Sequence, residues 1–192
     1  MSQANISEPS TIESSITWQW LKMESWRMIA FGFGSGLSRR APGTIGTMWA
    51  WASALLFLEF GPDFGDWKIA IILSISFILG AWACGKTGAD LNQPDHSGMV
   101  WDEIVAFWLI LWFVLPCSWW QQLLAFGLFR FFDILKPGPI RWVDSFFKYW
   151  QPHSNYQQDW MIWIRGLGVM VDDLLAAFFT LLVMALFIRL GF

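Results

Sequence analysis

Acidic residues fall in pairs where the surrounding sequence is apolar. Asp102 and Glu103 stand at the head of one apolar run, and Asp172 and Asp173 enter another. Asp95 precedes the first pair, with His96 beside it and Asp90 further upstream. A single acid at a helix start complements the helix dipole. A second, adjacent carboxylate adds repulsion unless a cation joins the two. Mg²⁺ is a hard cation that binds through one or two carboxylates and shares its other positions with water and phosphate. Asp95, Asp102, Glu103, Asp172 and Asp173 are therefore the candidate metal ligands, with Asp102 and Asp172 first in line for direct contact. Glu103 or Asp173 could serve instead as the base, so Asp102, Glu103 and Asp173 form the candidate catalytic set.

Groups suited to an anion accompany these acids. The segment Gly34 to Thr47 is rich in glycine, carries Arg39 and Arg40, and has Pro42 where a helix could begin. Glycines let backbone N–H groups approach an anion, and a helix start adds a favourable dipole. A flexible entry to a helix explains the same composition equally well. Arg130, Asp133 and Lys136 recur at i, i+3 and i+6, so they share a helix face that Pro137 ends. Ser35, Gly36, Thr44, Arg130 and Lys136 are the candidate phosphate ligands. Asp90, Asp133 and Arg141 are further candidates, with an internal Arg130–Asp133 ion pair as the plainer reading of that pair.

The elements that must carry these groups are membrane helices. The chain is 56% hydrophobic and 14% charged, with 16 Trp and 18 Phe, whereas soluble domains carry charge at about 25% of positions. Apolar runs cover Thr44 to Phe60, Trp67 to Cys84, Val105 to Leu115, Trp119 to Leu135 and Val169 to Leu190. A span needs roughly 17–25 mostly apolar residues, and Val105 to Leu115 meets that only if it starts near Trp101. The expected fold is an all-α, polytopic membrane bundle of about five spans. Thr17 to Phe33 is expected as an N-terminal interfacial helix. Residues 1–16 read as a disordered polar tail, and 17–192 as a single membrane-embedded domain.

With five spans and the N-terminus inside, ten basic residues face the cytoplasm and only Lys68 and Arg189 lie outside. That is a strong positive-inside bias, and it gathers all four polar clusters on the cytoplasmic side of an inner-type membrane. A net charge of −3 with no basic motif offers nothing to nucleic acid. Cys84 and Cys117 would lie on opposite sides of the membrane, so no disulfide is expected. Carboxylates for a cation, beside groups for phosphate at a membrane surface, suggest a phosphate-handling lipid enzyme. The alternative from another class is a cation transporter or channel using intramembrane carboxylates, although the midspan segments are poor in polar residues.

These residues resemble the bacterial phosphatidylglycerophosphatase A family. The likeness runs from Phe33 to Ala177 and rests on four blocks in order. The first is Gly34-Ser35-Gly36 leading to Pro42-Gly43-Thr44 and Gly46-Thr47. Asp95-His96 leading to Val100-Trp101-Asp102-Glu103 follows. Then come Arg130-Phe131-Phe132-Asp133, Lys136-Pro137 and Pro139-Ile140-Arg141, and finally Gly166, Gly168, Met170 and Asp172-Asp173. The resemblance implies a Mg²⁺-dependent membrane phosphatase that takes phosphatidylglycerophosphate from the cytoplasmic leaflet and releases phosphatidylglycerol and inorganic phosphate. Nothing in the sequence calls for an obligate protein partner. Neither cysteine is followed at the required spacing by the arginine of a cysteine phosphatase, and an Asp-x-Asp signature is absent. Two histidines alone, His96 and His153, do not make the pattern of a type 2 phosphatidic acid phosphatase. Metal-assisted hydrolysis is what remains.

Overall fold

A computed structural model describes residues 16–60, 65–149 and 159–190. The expected polar tail therefore lies almost wholly outside the described residues. Among those described there is no strand. The helices are α1 (Trp18–Lys22), α2 (Ser25–Ala30), α3 (Pro42–Phe60), α4 (Asp66–Asp90), α5 (Trp101–Val114), α6 (Trp119–Leu135), α7 (Gly138–Tyr149) and α8 (Asp159–Arg189), with a tight 3₁₀ turn at Gly32–Leu37 between α2 and α3.

Local sequence sets several of these boundaries. Thr17 accepts the N–H of Trp20 and caps α1. Ser118 and Gln121 form a reciprocal capping box at the start of α6, which satisfies donors a helix start otherwise leaves unpaired. Lys136 ends α6 in the left-handed region, at φ 41° and ψ 62°, and Pro137 cannot continue the helix. The single interfacial helix expected over Thr17 to Phe33 is not formed. Glu24 is extended, splitting the segment into α1 and α2, and Phe33 and Gly34 take positive φ of 55° and 99°. Arg27 then pairs with Asp90 at 2.8 Å, fastening α2 to the end of α4.

Two further differences bear on the site. α7 is an element the apolar runs did not announce, because it is amphipathic and its charged residues break the run. α8 begins at Asp159 instead of Val169, so Asp172 and Asp173 sit well inside a helix and not at its entrance.

α5 forms the centre of the core. Ile104, Ala106, Phe107 and Ile110 are fully buried, and it packs on α3, α4, α6 and α8. α8 crosses α4 closely because small residues meet there. A Cβ on Gly166 would strike the carbonyl of Ala81, and one on Gly80 would meet Trp101 and Met170. Close approach through small residues is how helices associate where lipid provides no hydrophobic drive.

The exterior is strongly apolar. Ile71, Ile72, Ile75, Ile78 and Leu79 of α4 are exposed, as are Phe178, Leu182 and Leu186 of α8. Asp66–Asp90 and Trp160–Arg189 are each long and apolar enough to cross a membrane. Continuous apolar faces of this kind, on an all-helical fold among the described residues, suggest a membrane protein.

Candidate active site

Five pieces of chain surround a polar cavity of about 410 Å³. They are the start of α3, the loop from Asp95 to Met99, the first turn of α5, the last turns of α6 and the middle of α8. Asp95, Asp102, Glu103, Asp133, Asp172 and Asp173 all line it, together with Arg40, Arg130 and Lys136. Residues from 95 to 173 are thus gathered because α5, α6 and α8 pack as neighbours.

The innermost group is Glu103, Asp133 and Asp173. One carboxylate oxygen from each lies within 4.8 Å of the others. Arg130 is wedged beside them. Its Nη1 lies 2.9 Å from Glu103 Oε1, 2.9 Å from Asp133 Oδ2 and 3.4 Å from the hydroxyl of Thr47. That hydroxyl in turn donates to the carbonyl of Gly43 at 2.9 Å. Gly43 is where α3 comes closest: a Cβ there would strike the carboxylate of Glu103. A glycine at this point lets the start of α3 lie directly against the acid.

The outer wall is arranged differently. Lys136 Nζ lies 2.8 Å from Asp172 Oδ2, so the last residue of the α6 corner reaches across to α8. Asp102 is buried and accepts the N–H of Glu103 at 3.0 Å. The buried His96 accepts the N–H of Gly98 through Nδ1 at 2.9 Å.

The donor set fits a hard divalent cation. Glu103 Oε2 and Asp173 Oδ2 are buried without a hydrogen-bond partner among the described residues. Buried carboxylate oxygens left in that condition are costly. Three carboxylates from three helices supply the all-oxygen environment that such ions prefer.

The sequence-derived candidates divide clearly. Asp95, Asp102, Glu103, Asp172, Asp173, Thr44, Arg130 and Lys136 are brought to the cavity. Ser35 is not: its hydroxyl donates to the carbonyl of Gly32 at 2.8 Å. Gly36 is packed against the carbonyl of Gly98, outside the cavity lining. Asp90 is held by Arg27 and by the indole of Trp26. Arg141 is exposed on α7, away from the lining. Asp133, a further candidate in the sequence, lies with Glu103 and Asp173, while Asp172, a first choice for direct contact, pairs with Lys136. The place of Asp133 deep in an apolar run, one turn from Arg130, was the available signal. His96 and Thr47 stood in the sequence blocks without an individual role, since a lone histidine or threonine carries no pattern; the structure brings His96 to the cavity and Thr47 to Arg130.

The family model for phosphatidylglycerophosphatase A matches residues 28–153. The chain belongs to the phosphatidylglycerophosphatase A family. The Haemophilus influenzae phosphatidylglycerophosphatase A is 38% identical over 156 residues, covering 81% of this chain and 84% of that protein. The Escherichia coli phosphatidylglycerophosphatase A is 35% identical over 159 residues, covering 81% of this chain and 80% of that protein. A Bacteroides thetaiotaomicron protein, named provisionally as a phosphatidylinositol-3-phosphatase, is 32% identical over 164 residues, covering 82% and 90%. No solved structure matches. As a member of the phosphatidylglycerophosphatase A family the protein is a phosphatase, which displaces the transporter reading of its carboxylates.

Proposed function

We propose that this phosphatase hydrolyses phosphatidylglycerophosphate to phosphatidylglycerol and inorganic phosphate, in a Mg²⁺-dependent reaction at the cytoplasmic face of a bacterial inner membrane. The observation that carries this reading is the convergence of Glu103, Asp133 and Asp173 beside Arg130 and Lys136 in one cavity. Family membership and the names of the relatives support the lipid substrate.

The topology that suits it has five crossings, α3, α4, α5, α6 and α8, with the N-terminus inside. α5 has 14 residues and rises roughly 21 Å, less than the ~30 Å of a hydrocarbon core. Its acidic start therefore sits below the membrane surface, at a depth that a lipid phosphate reaches with little displacement.

In this mechanism Glu103, Asp133 and Asp173 would hold the divalent cation, which would supply Lewis-acid polarisation of the phosphoryl group and a more acidic attacking water. Lys136 exchanges its contact with Asp172 for an oxygen of the terminal phosphate. Arg130 keeps Glu103 and Asp133 in register and adds positive charge behind the phosphoryl group. Asp102 accepts the proton of the attacking water as the new P–O bond forms and the bond to the glycerol oxygen breaks. His96 has its proton on Nε2 in the neutral ring, because Nδ1 is an acceptor. That N–H donates a hydrogen bond to the leaving glycerol oxygen, and the proton that Asp102 took from the attacking water is returned to this oxygen, which becomes the free hydroxyl of phosphatidylglycerol.

The test is phosphate release by purified protein from vesicles containing phosphatidylglycerophosphate, phosphatidic acid or phosphatidylinositol 3-phosphate, with Mg²⁺ or with chelator. Release that requires Mg²⁺ and favours phosphatidylglycerophosphate is expected. Equal or better turnover of another lipid would overturn the substrate, and full activity in chelator would overturn the metal.

A further inference from the structure

We infer that the acyl chains of the lipid substrate leave the cavity sideways over Ile134, onto an apolar strip of α6 formed by Phe131, Ile134 and Leu135. The inference rests on the proposed lipid phosphatase function and adds to it the route by which the substrate is seated.

Ile134 is the observation behind it. This side chain lines the polar cavity, yet it is 68% exposed on the outside of the helix bundle. It follows Asp133 directly and stands one turn after Arg130, so it marks the edge where the charged face of α6 ends. Phe131 lies one turn before both Ile134 and Leu135, at i+3 and i+4 spacing, so the three share one side of α6, and Phe131 and Leu135 are 54% and 52% exposed. Polar cavity and apolar exterior thus meet at one residue.

A phospholipid has to satisfy both sides of that edge at once. Its phosphate needs the cations and the carboxylate-bound metal inside. Its chains cannot enter a cavity lined by six acids without losing their apolar surroundings. An opening onto hydrocarbon lets the phosphate move inward while the chains stay in lipid. The strip supplies little affinity, since lipid tails are as apolar as the side chains they leave. Its contribution is continuity: a polar group at the threshold would hold water where the first methylenes must lie.

The experiment compares kcat/KM for a long-chain phosphatidylglycerophosphate in vesicles with that for a short-chain, water-soluble one. In Ile134→Asn the long-to-short ratio is expected to fall about tenfold, the scale set by an amide placed in an apolar contact. Phe131→Asn and Leu135→Asn should move it in the same direction by less. Ile75→Asn, on the exposed face of α4 away from the cavity, should leave the ratio unchanged. A photoreactive side chain at position 131 should label a long-chain substrate analogue. Unchanged ratios in all three α6 variants, or labelling of a second protein copy instead of lipid, would overturn the inference while leaving the activity standing. Failure of the unaltered protein to release phosphate from either substrate would remove the proposed function itself, and this route with it.

Discussion

Lys136 Nζ lies 2.8 Å from Asp172 Oδ2, and this contact ties the end of α6 to the middle of α8 across the mouth of the cavity. The lysine occupies a left-handed backbone position that residues with a Cβ seldom take. Such conformations persist where the surroundings enforce them, and they gather at functional sites. Asp172 is largely buried, with its side chain 6% exposed, whereas that of Lys136 is 28% exposed. Lys136→Met is therefore expected to lower both thermal stability and kcat/KM, because it removes a cation paired with a buried acid. A double-mutant cycle with Asp172→Asn, read by unfolding in detergent, should give a coupling of roughly 0.5–3 kcal/mol. A coupling of zero would mean that the pair has no energetic role.

Glu103→Gln, Asp133→Asn and Asp173→Asn should each lower Mg²⁺-dependent phosphate release by at least about 100-fold. Each should also weaken Mn²⁺ binding followed by its paramagnetic resonance signal. Asp172→Asn should disturb binding of the ion less than Asp133→Asn does. The reverse order would restore Asp172 as a direct ligand in place of Asp133.

Arg130 contacts two acids and a hydroxyl from one nitrogen. Arg130→Lys keeps the charge but not the geometry, and the two residues are not interchangeable at such a site. It should lower kcat while the protein still folds. Arg130→Ala leaves Glu103 and Asp133 without their cation and should also lower the unfolding temperature. Wild-type kinetics in Arg130→Lys would show that charge alone matters here.

His96 should reveal itself through the leaving group. His96→Gln is expected to slow release from phosphatidylglycerophosphate far more than from an aryl phosphate, whose phenolate departs without needing a proton. Equal slowing of both substrates would assign the histidine a purely structural part in holding the loop through Gly98.

Two glycines separate chemistry from folding. Gly43→Ala would press on the flexible end of Glu103 and should impair activity with little change in stability. Gly166→Ala would press on the backbone of Ala81 and should cost about 1–3 kcal/mol, the usual range for overpacking. Circular dichroism melts of both variants, set beside their activities, would test the contrast.

The sequence by itself determined the helical character and pointed to a membrane, because long apolar runs favour helices that bury their backbone polar groups. It fixed α6 to its residue limits, since Ser118 and Pro137 carry capping and stopping chemistry that acts locally. It also identified the acids and bases that line the cavity, because a charge in an apolar run demands an explanation wherever the chain goes. It could not separate α1 from α2, since the break at Glu24 follows from how Arg27 reaches Asp90. Nor could it start α8 at Asp159, because charged residues interrupt the apolar pattern without interrupting the helix. The division of roles within the site was decided only by packing. Asp133 and Asp172 are both carboxylates set in apolar runs, and sequence does not say which of them stands nearer Glu103. The packing of α6 against α8 places one beside Glu103 and gives the other to Lys136, and that is settled only when helices distant in sequence meet.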